Sequence, residues 1–241
     1  MLASNFNSYA EMQIKVNIPS YELKVYDEAN EIARFDIRVG KKETPTPIGK
    51  GEIKERRERI VFRYSEGPKK GEIIKYSYLN PEKRTIKMPY NKMRGLQMVI
   101  KHDKNLDDGK VIHSTTDYWT VGFPVSHGCI GLKIDDMLNL YNLVNKVPVP
   151  VNIGYETIFV EGNQAVFYAD IYNKGTNSLE RLVNKGIKIR DFESAQRKLN
   201  EINKELTNNL KKAKKELSKG KNPGELKNKM CCRVDIGEFL R

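Results

Sequence analysis

Apolar side chains between Met12 and Val39 come in short alternating runs: Ile14, Val16 and Ile18, then Leu23 and Val25, then Ile32, Phe35, Ile37 and Val39. Every second side chain of an extended strand faces the same way, so this rhythm predicts half-buried strands rather than a helix. Asp27-Glu28-Ala29-Asn30, between the second and third runs, is a hairpin-type turn and makes the opening antiparallel. Gly40 to Gly51, GKKETPTPIGKG, is dense in glycine and proline and is predicted to be a loop. Strand-like runs return at Ile60 to Tyr64, Ile73 to Tyr78 and Gln97 to Lys101, with Pro81, Pro89 and Gly95 breaking any helix between them.

The pattern changes near Asp135. Met137, Leu140, Tyr141 and Val144 recur at helical spacing, and Asp135 or Asp136 is placed to cap the free N–H groups at the start. Val147-Pro-Val-Pro-Val ends that helix and opens another strand. Ile158 to Glu161 and Ala165 to Ile171 are two more strands, joined at a Gly162-Asn163 hairpin turn. Then Phe192, Ala195, Leu199, Ile202, Leu206, Leu210, Ala213 and Leu217 recur every three or four residues, a long amphipathic helix with a lysine-rich opposite face. Lys219-Gly-Lys-Asn-Pro-Gly stops it, and Met230 to Arg241 has too little pattern to assign. The chain thus divides into a mainly β domain over 12–172 with one short internal helix and a largely helical, basic extension over 173–241.

Charge sharpens that division. The chain of 241 residues carries a formal +12, and the extension holds 18 Lys and Arg against 9 Asp and Glu, or +9 of it. The simplest reading of the long helix is that its stripe packs on the β domain while its lysines are solvated; docking to an anionic wall or membrane surface is the alternative. No basic patch of the β domain is interleaved with stacking aromatics, so nucleic acid is not expected as a partner. No run of about 18 apolar residues is present, so no membrane-spanning helix is expected. The opening MLASNFNSYAEMQIKVN shows neither the basic nor the apolar region of a secretory signal. Three cysteines, Cys129 alone and Cys231-Cys232 adjacent, do not make a disulfide framework.

Chemistry concentrates in VIHSTTDYWTVGFPVSHGCIGL, residues 111–132. A thiol near its ordinary pKa is mostly protonated at neutral pH, so a nucleophilic cysteine needs a base or a positive field. Two histidines are on offer. His127 shares a face with Cys129 if the segment is extended, but not if it is a turn; His113 follows the apolar Val111-Ile112 on what reads as a rigid strand. Gly128 lets backbone approach a reacting carbonyl closely, and the N–H groups of Gly128 and Cys129 are candidates for an oxyanion hole. A zinc site from His113, His127 and Cys129 competes, but no spacing supplies a fourth ligand, and neither metal nor cofactor is expected.

SHGCIGL, with IHST beginning seventeen residues before its cysteine, resembles the signature of the L,D-transpeptidase (YkuD) catalytic domain. The opening hairpin with its TPTPIG loop, MPYNKM at 88–93 and DDMLNLYNLV are similar to that family as well, over about residues 12–155. The resemblance implies a β-sandwich catalytic domain and a cysteine acyltransferase acting on peptidoglycan stem peptides. It implies that Cys129 attacks the stem carbonyl, that His113 accepts the thiol proton, and that the Ser114 carbonyl orients the imidazole. It also implies that Ser126 and His127 shape the pocket and that Tyr90 lies in the substrate groove. A periplasmic or envelope location follows from the resemblance alone.

One departure stands out: the family's arginine two places after the cysteine is Gly131 here. An arginine there brings a fixed charge and a fork suited to carboxylates, so Gly131→Arg is expected to improve turnover, with Lys133 the nearest substitute in sequence. Trp119 and Tyr118, with Phe123 and Pro124, either form an apolar lid over the acyl-enzyme or are plain core. Three functions compete: the transpeptidase or its water-using L,D-carboxypeptidase variant, a catalytically weakened wall-binding protein on the same fold, and a thiol hydrolase on another substrate.

Overall fold

The computed structural model describes residues 12–57, 68, 70, 72, 95–100, 110–115, 117–221, 226 and 228–240. The expected strands at 60–64 and 73–78 lie outside them. The alternating opening forms β1 (Gln13–Asn17), β2 (Glu22–Asp27) and β3 (Asn30–Asp36), an antiparallel meander turning at Glu28 with φ 54°. Ile14, Val16, Leu23 and Val25 face the core as the alternation requires. Ile32 does not: it is 45% exposed. The pairing runs Val25 with Ala33 and then Tyr26 with Glu31, so Ile32 is the extra residue of a bulge and its side chain leaves the buried face.

After β4 (Val39–Gly40) come β5 (Gly49–Arg57), β6 (Gly95–Ile100), β7 (Val111–Thr115), β8 (Pro124–Ser126) and β9 (Ile130–Lys133). The expected loop therefore ends early, because Gly49 to Gly51 are held by backbone pairing to β10 (Val149–Gly154), which needs no side chains. Eight strands form one mixed sheet in the order β3-β2-β1-β10-β5-β6-β7-β9, and β4 pairs with β8 in a small second one. Helix α1 (Ile134–Leu143) leads directly out of β9 and buries Met137, Leu140 and Tyr141. Its N-cap is Lys133 without a side-chain bond, so Asp135 and Asp136 are not caps; they lie inside the first turn, where negative charge favours the helix dipole.

The remaining chain builds a third sheet. Strands β11 (Ile158–Glu161) and β12 (Gln164–Tyr168) form the expected hairpin, and β12 pairs on its other side with β13 (Cys231–Asp235), a strand the sequence pattern does not show. Helices α2 (Leu179–Asn184), α3 (Phe192–Ser218) and α4 (Gly237–Leu240) complete it. The stripe Ala195, Leu199, Ile202, Leu206, Leu210 and Ala213 is buried, whereas Phe192, its expected first member, is exposed in the opening turn beside the cap Asp191. The buried apolar residues of all three sheets form one continuous core.

Candidate active site

Strands β7 and β9 run parallel with His113 opposite Gly131 and Ile112 opposite Ile130. Register partners share a face and neighbours alternate, so His113 and Gly131 face one way while Ile112 and Ile130 enter the core. Cys129 immediately precedes β9 and is half-buried, with a free thiol. His113 is only 5% exposed, and its Nδ1 lies 2.8 Å from the Ser114 carbonyl oxygen. A carbonyl can only accept, so Nδ1 carries the proton and Nε2 the lone pair. Burial, helped by the Arg38 charge and opposed by the Ser114 carbonyl, lowers the imidazole pKa from 6.5 to about 4. The ring is therefore neutral at pH 7 and able to accept a proton.

The turn before Cys129 is fixed by Ser126. Its hydroxyl donates to the Cys129 carbonyl (2.6 Å) and accepts from the Gly128 N–H (3.1 Å). The Gly128 N–H is thus already engaged, which removes it from the expected oxyanion hole. Gly128 has φ 103°, and a side chain there would meet the Pro45 carbonyl and Lys110. Its close approach is to this chain's own loop rather than to a reacting carbonyl. The same positive φ breaks strand alternation: His127 does not follow Cys129 but is exposed, with its carbonyl accepting from Lys110 Nζ at 3.2 Å.

The TPTPIG loop is fastened to this turn. Thr44 Oγ1 and the Lys41 N–H both donate to the Ser126 carbonyl, at 3.2 and 2.9 Å, beside the parallel β4–β8 pair. Inside the loop the Gly40 N–H donates to Thr46 Oγ1, the Thr46 N–H donates to the Tyr172 hydroxyl, and that hydroxyl donates to the Gly40 carbonyl. Gly40 is obligatory, since any side chain would strike the backbone of Thr44 and Thr46. Tyr172 stacks on Tyr155 at 5.3 Å and is missed by sequence reasoning, because only the fold carries it back across 132 residues.

Arg38 is the second residue missed. Its N–H donates to the Gly131 carbonyl at 2.8 Å and the Gly131 N–H donates to its carbonyl at 3.0 Å, so its backbone flanks the open side of β9. A Cβ on Gly131 would lie 2.6 Å from Arg38 Nε and 2.8 Å from its Cγ. Gly131→Arg therefore cannot simply restore a missing side chain; the space is taken. Arg38 Nη1 donates to Thr120 Oγ1 at 3.1 Å and lies 3.5 Å from Asp117 Oδ2, with 16% of the side chain exposed. Its charge reaches both His113 and Cys129. Lys133 closes β9 on the surface.

Trp119 and Tyr118 lie in a 3₁₀ turn, Trp119 half-buried and Tyr118 42% exposed, so neither is core. Phe123 is 1% exposed and Pro124 opens β8; both belong to the interior and neither covers the thiol from outside. Tyr90 and the rest of MPYNKM lie outside the described residues. Among the described residues no three His, Cys, Asp or Glu side chains converge in a group able to hold a metal ion.

A family model described as "L,D-transpeptidase catalytic domain" matches residues 11–153. Similar solved structures include an L,D-transpeptidase from Mycobacterium smegmatis, 21% identical, covering 60% of this chain and 59% of that one, with a TM-score of 0.44. Another is L,D-transpeptidase 3 from Mycobacterium tuberculosis with a faropenem-derived adduct, at 16%, 59%, 59% and 0.42 in the same order. A third is a mutant L,D-transpeptidase from Enterococcus faecium, at 18%, 60%, 50% and 0.41. The chain thus spans little more than half the length of these proteins. No curated protein matches.

Proposed function

Because the chain belongs to the L,D-transpeptidase catalytic domain family, we propose that it is a cysteine acyltransferase acting on peptidoglycan stem peptides, with Cys129 as nucleophile and His113 as base. The observation that carries this reading is the state of His113: buried, neutral, held by the Ser114 carbonyl through Nδ1, and presented on the face onto which Cys129 leads. His113 Nε2 takes the thiol proton as sulfur attacks the stem carbonyl, and the tetrahedral oxyanion draws on the Cys129 N–H. Collapse breaks the bond to the terminal D-residue, whose amine leaves with the proton from the imidazolium. An amine of a second stem then attacks the thioester, and its proton returns through His113. Ser126 holds the turn in place throughout, which limits the reorganisation needed when charge develops.

Water in place of the amine turns the same site into an L,D-carboxypeptidase. The site acts in the cell envelope on this reading, and the exposed Lys204, Lys211, Lys212 and Lys215 of α3 suit an anionic wall surface. Incubation with a carbapenem followed by intact mass tests the nucleophile: a covalent adduct on Cys129 is expected, and a chain that remains unmodified favours the wall-binding reading over the transpeptidase. A stem tetrapeptide with and without an amine acceptor then separates cross-linking from hydrolysis.

A further inference from the structure

Resting on the reading of Cys129 and His113 above, we infer that Arg38 is the positioning arginine of this site, reaching it from the neighbouring chain segment, and that residue 131 is glycine so that Arg38 can cross it. Arg38 and Gly131 exchange both backbone hydrogen bonds, and residues paired in that way have side chains on one face. Gly131 is in turn the register partner of His113. Arg38, Gly131 and His113 therefore form a row across the sheet, and the Arg38 stem lies over the middle member, its Nε, Cγ and Cδ at 2.6–3.1 Å from where a Cβ would be.

Beyond Gly131 the guanidinium grips the 117–120 segment through Thr120 and Asp117, the segment that joins the base strand to the nucleophile turn. One arginine thus does two things. It holds the 117–120 segment in place, and it sets a positive charge beside a neutral base and a thiol that must become anionic. The Asp117 pairing alone does not account for this placement: the contact is 3.5 Å, and the buried Nε has no hydrogen-bond partner among the described residues. A guanidinium serving only as a surface ion pair gains nothing by crossing a glycine next to the base.

The inference predicts that positions 38 and 131 exclude one another. In the full chain, Gly131→Arg alone should lower the melting temperature and slow carbapenem acylation at least about tenfold. Arg38→Ser should fold, acylate at least about tenfold more slowly, and move the acid limb of the rate profile upward, because His113 loses a neighbouring positive charge. Arg38→Lys should recover part of the rate. The double variant Arg38→Ser with Gly131→Arg should acylate several-fold faster than either single variant. Equal or lower rates in the double variant, or a Gly131→Arg protein that melts and reacts like the wild type, overturn the inference. Should the wild type itself fail to acylate, the transpeptidase reading falls separately. The crossing is then judged by melting alone: the loss caused by Gly131→Ala must shrink in the Arg38→Ser background, and an unchanged loss overturns it.

Discussion

The two edges of the eight-stranded sheet are built on opposite plans. At the β3 edge only Phe35 is buried, and the strand is covered by charge: Arg34 reaches Glu31 at 2.8 Å and Glu22 at 3.2 Å, and Lys24 reaches Glu31 at 3.5 Å. At the other end every described position of β7 is buried, three of them polar, and β9 is flanked by the backbone of Arg38. Exposed charges protect an open strand edge from unwanted pairing at little energetic cost. Buried polar groups are costly unless each finds a partner, and the pairs His113 with Ser114, Ser126 with Cys129 and Thr46 with Gly40 supply such partners around the proposed nucleophile and base.

The comparison breaks most visibly if the buried edge can be altered without loss. Cys129→Ser should reduce acyl transfer by at least about 10³-fold, while Cys231→Ser with Cys232→Ser, on β13, should leave it within about twofold. Turnover measured on a stem tetrapeptide decides it, and an active Cys129→Ser protein ends the mechanism. His113→Ala should cost about 10²- to 10⁴-fold, and His127→Ala, whose side chain is exposed, far less. Equal or reversed losses would undo the assignment of His113 as the base.

A second test reads stability rather than rate. The native His113 pKa is depressed to about 4 while the unfolded chain titrates near 6.5, so between these values the unfolded state binds the extra proton. Stability is then full above about pH 6.5 and falls as the pH drops toward 4, by at most about 3 kcal/mol from this one group. Urea midpoints at pH 7 and pH 4.5 should draw apart in the wild type and come closer together in His113→Gln. Identical pH responses in the two proteins would mean that the ring is not held neutral.

Much of this was legible in sequence, and the failures share a cause. Alternation located β1 to β3, helical spacing located α1 and α3, and SHGCIGL with IHST pointed to residues that the fold brings to neighbouring parallel strands. Arg38, Tyr172 and β13 were not legible, because each acts on a partner 63 or more residues away and has no local pattern of its own. Ile32 failed for a subtler reason: a bulge shifts the register, and no composition rule announces it. The Gly128 N–H was misjudged because glycine beside a nucleophile suits substrate approach and self-contact equally well. Only the bond to Ser126 Oγ tells them apart.

Tyr172→Phe probes how firmly the buried edge depends on the segment that follows β12. The hydroxyl accepts from the Thr46 N–H and donates to the Gly40 carbonyl, both buried. Losing it leaves two backbone groups without partners, at a cost of about 1–3 kcal/mol. The TPTPIG loop also holds the Ser126 carbonyl, so the specificity constant should drop together with the melting temperature. A variant that melts earlier but keeps full activity would show that the loop supports the fold and not the site.

The smallest expected effect belongs to the opposite edge. Arg34 makes two carboxylate contacts, yet its side chain is 54% exposed and those of Glu31 and Glu22 are 30% and 24% exposed, so water and salt screen the attraction. Ordering a long side chain also costs entropy, which leaves such a cluster worth about 0–1 kcal/mol. Arg34→Ala should therefore shift the urea midpoint only slightly, the shift should shrink further at 0.5 M salt, and acylation of Cys129 should not change. The substitution also leaves Glu31 and Glu22 with only Lys24 between them, at 3.5 and 4.0 Å, so the residual effect is destabilising rather than neutral. A loss as large as that of Tyr172→Phe would show that the β3 edge contributes energetically as much as the buried one, and the division of labour between the two ends of the sheet would have to be given up.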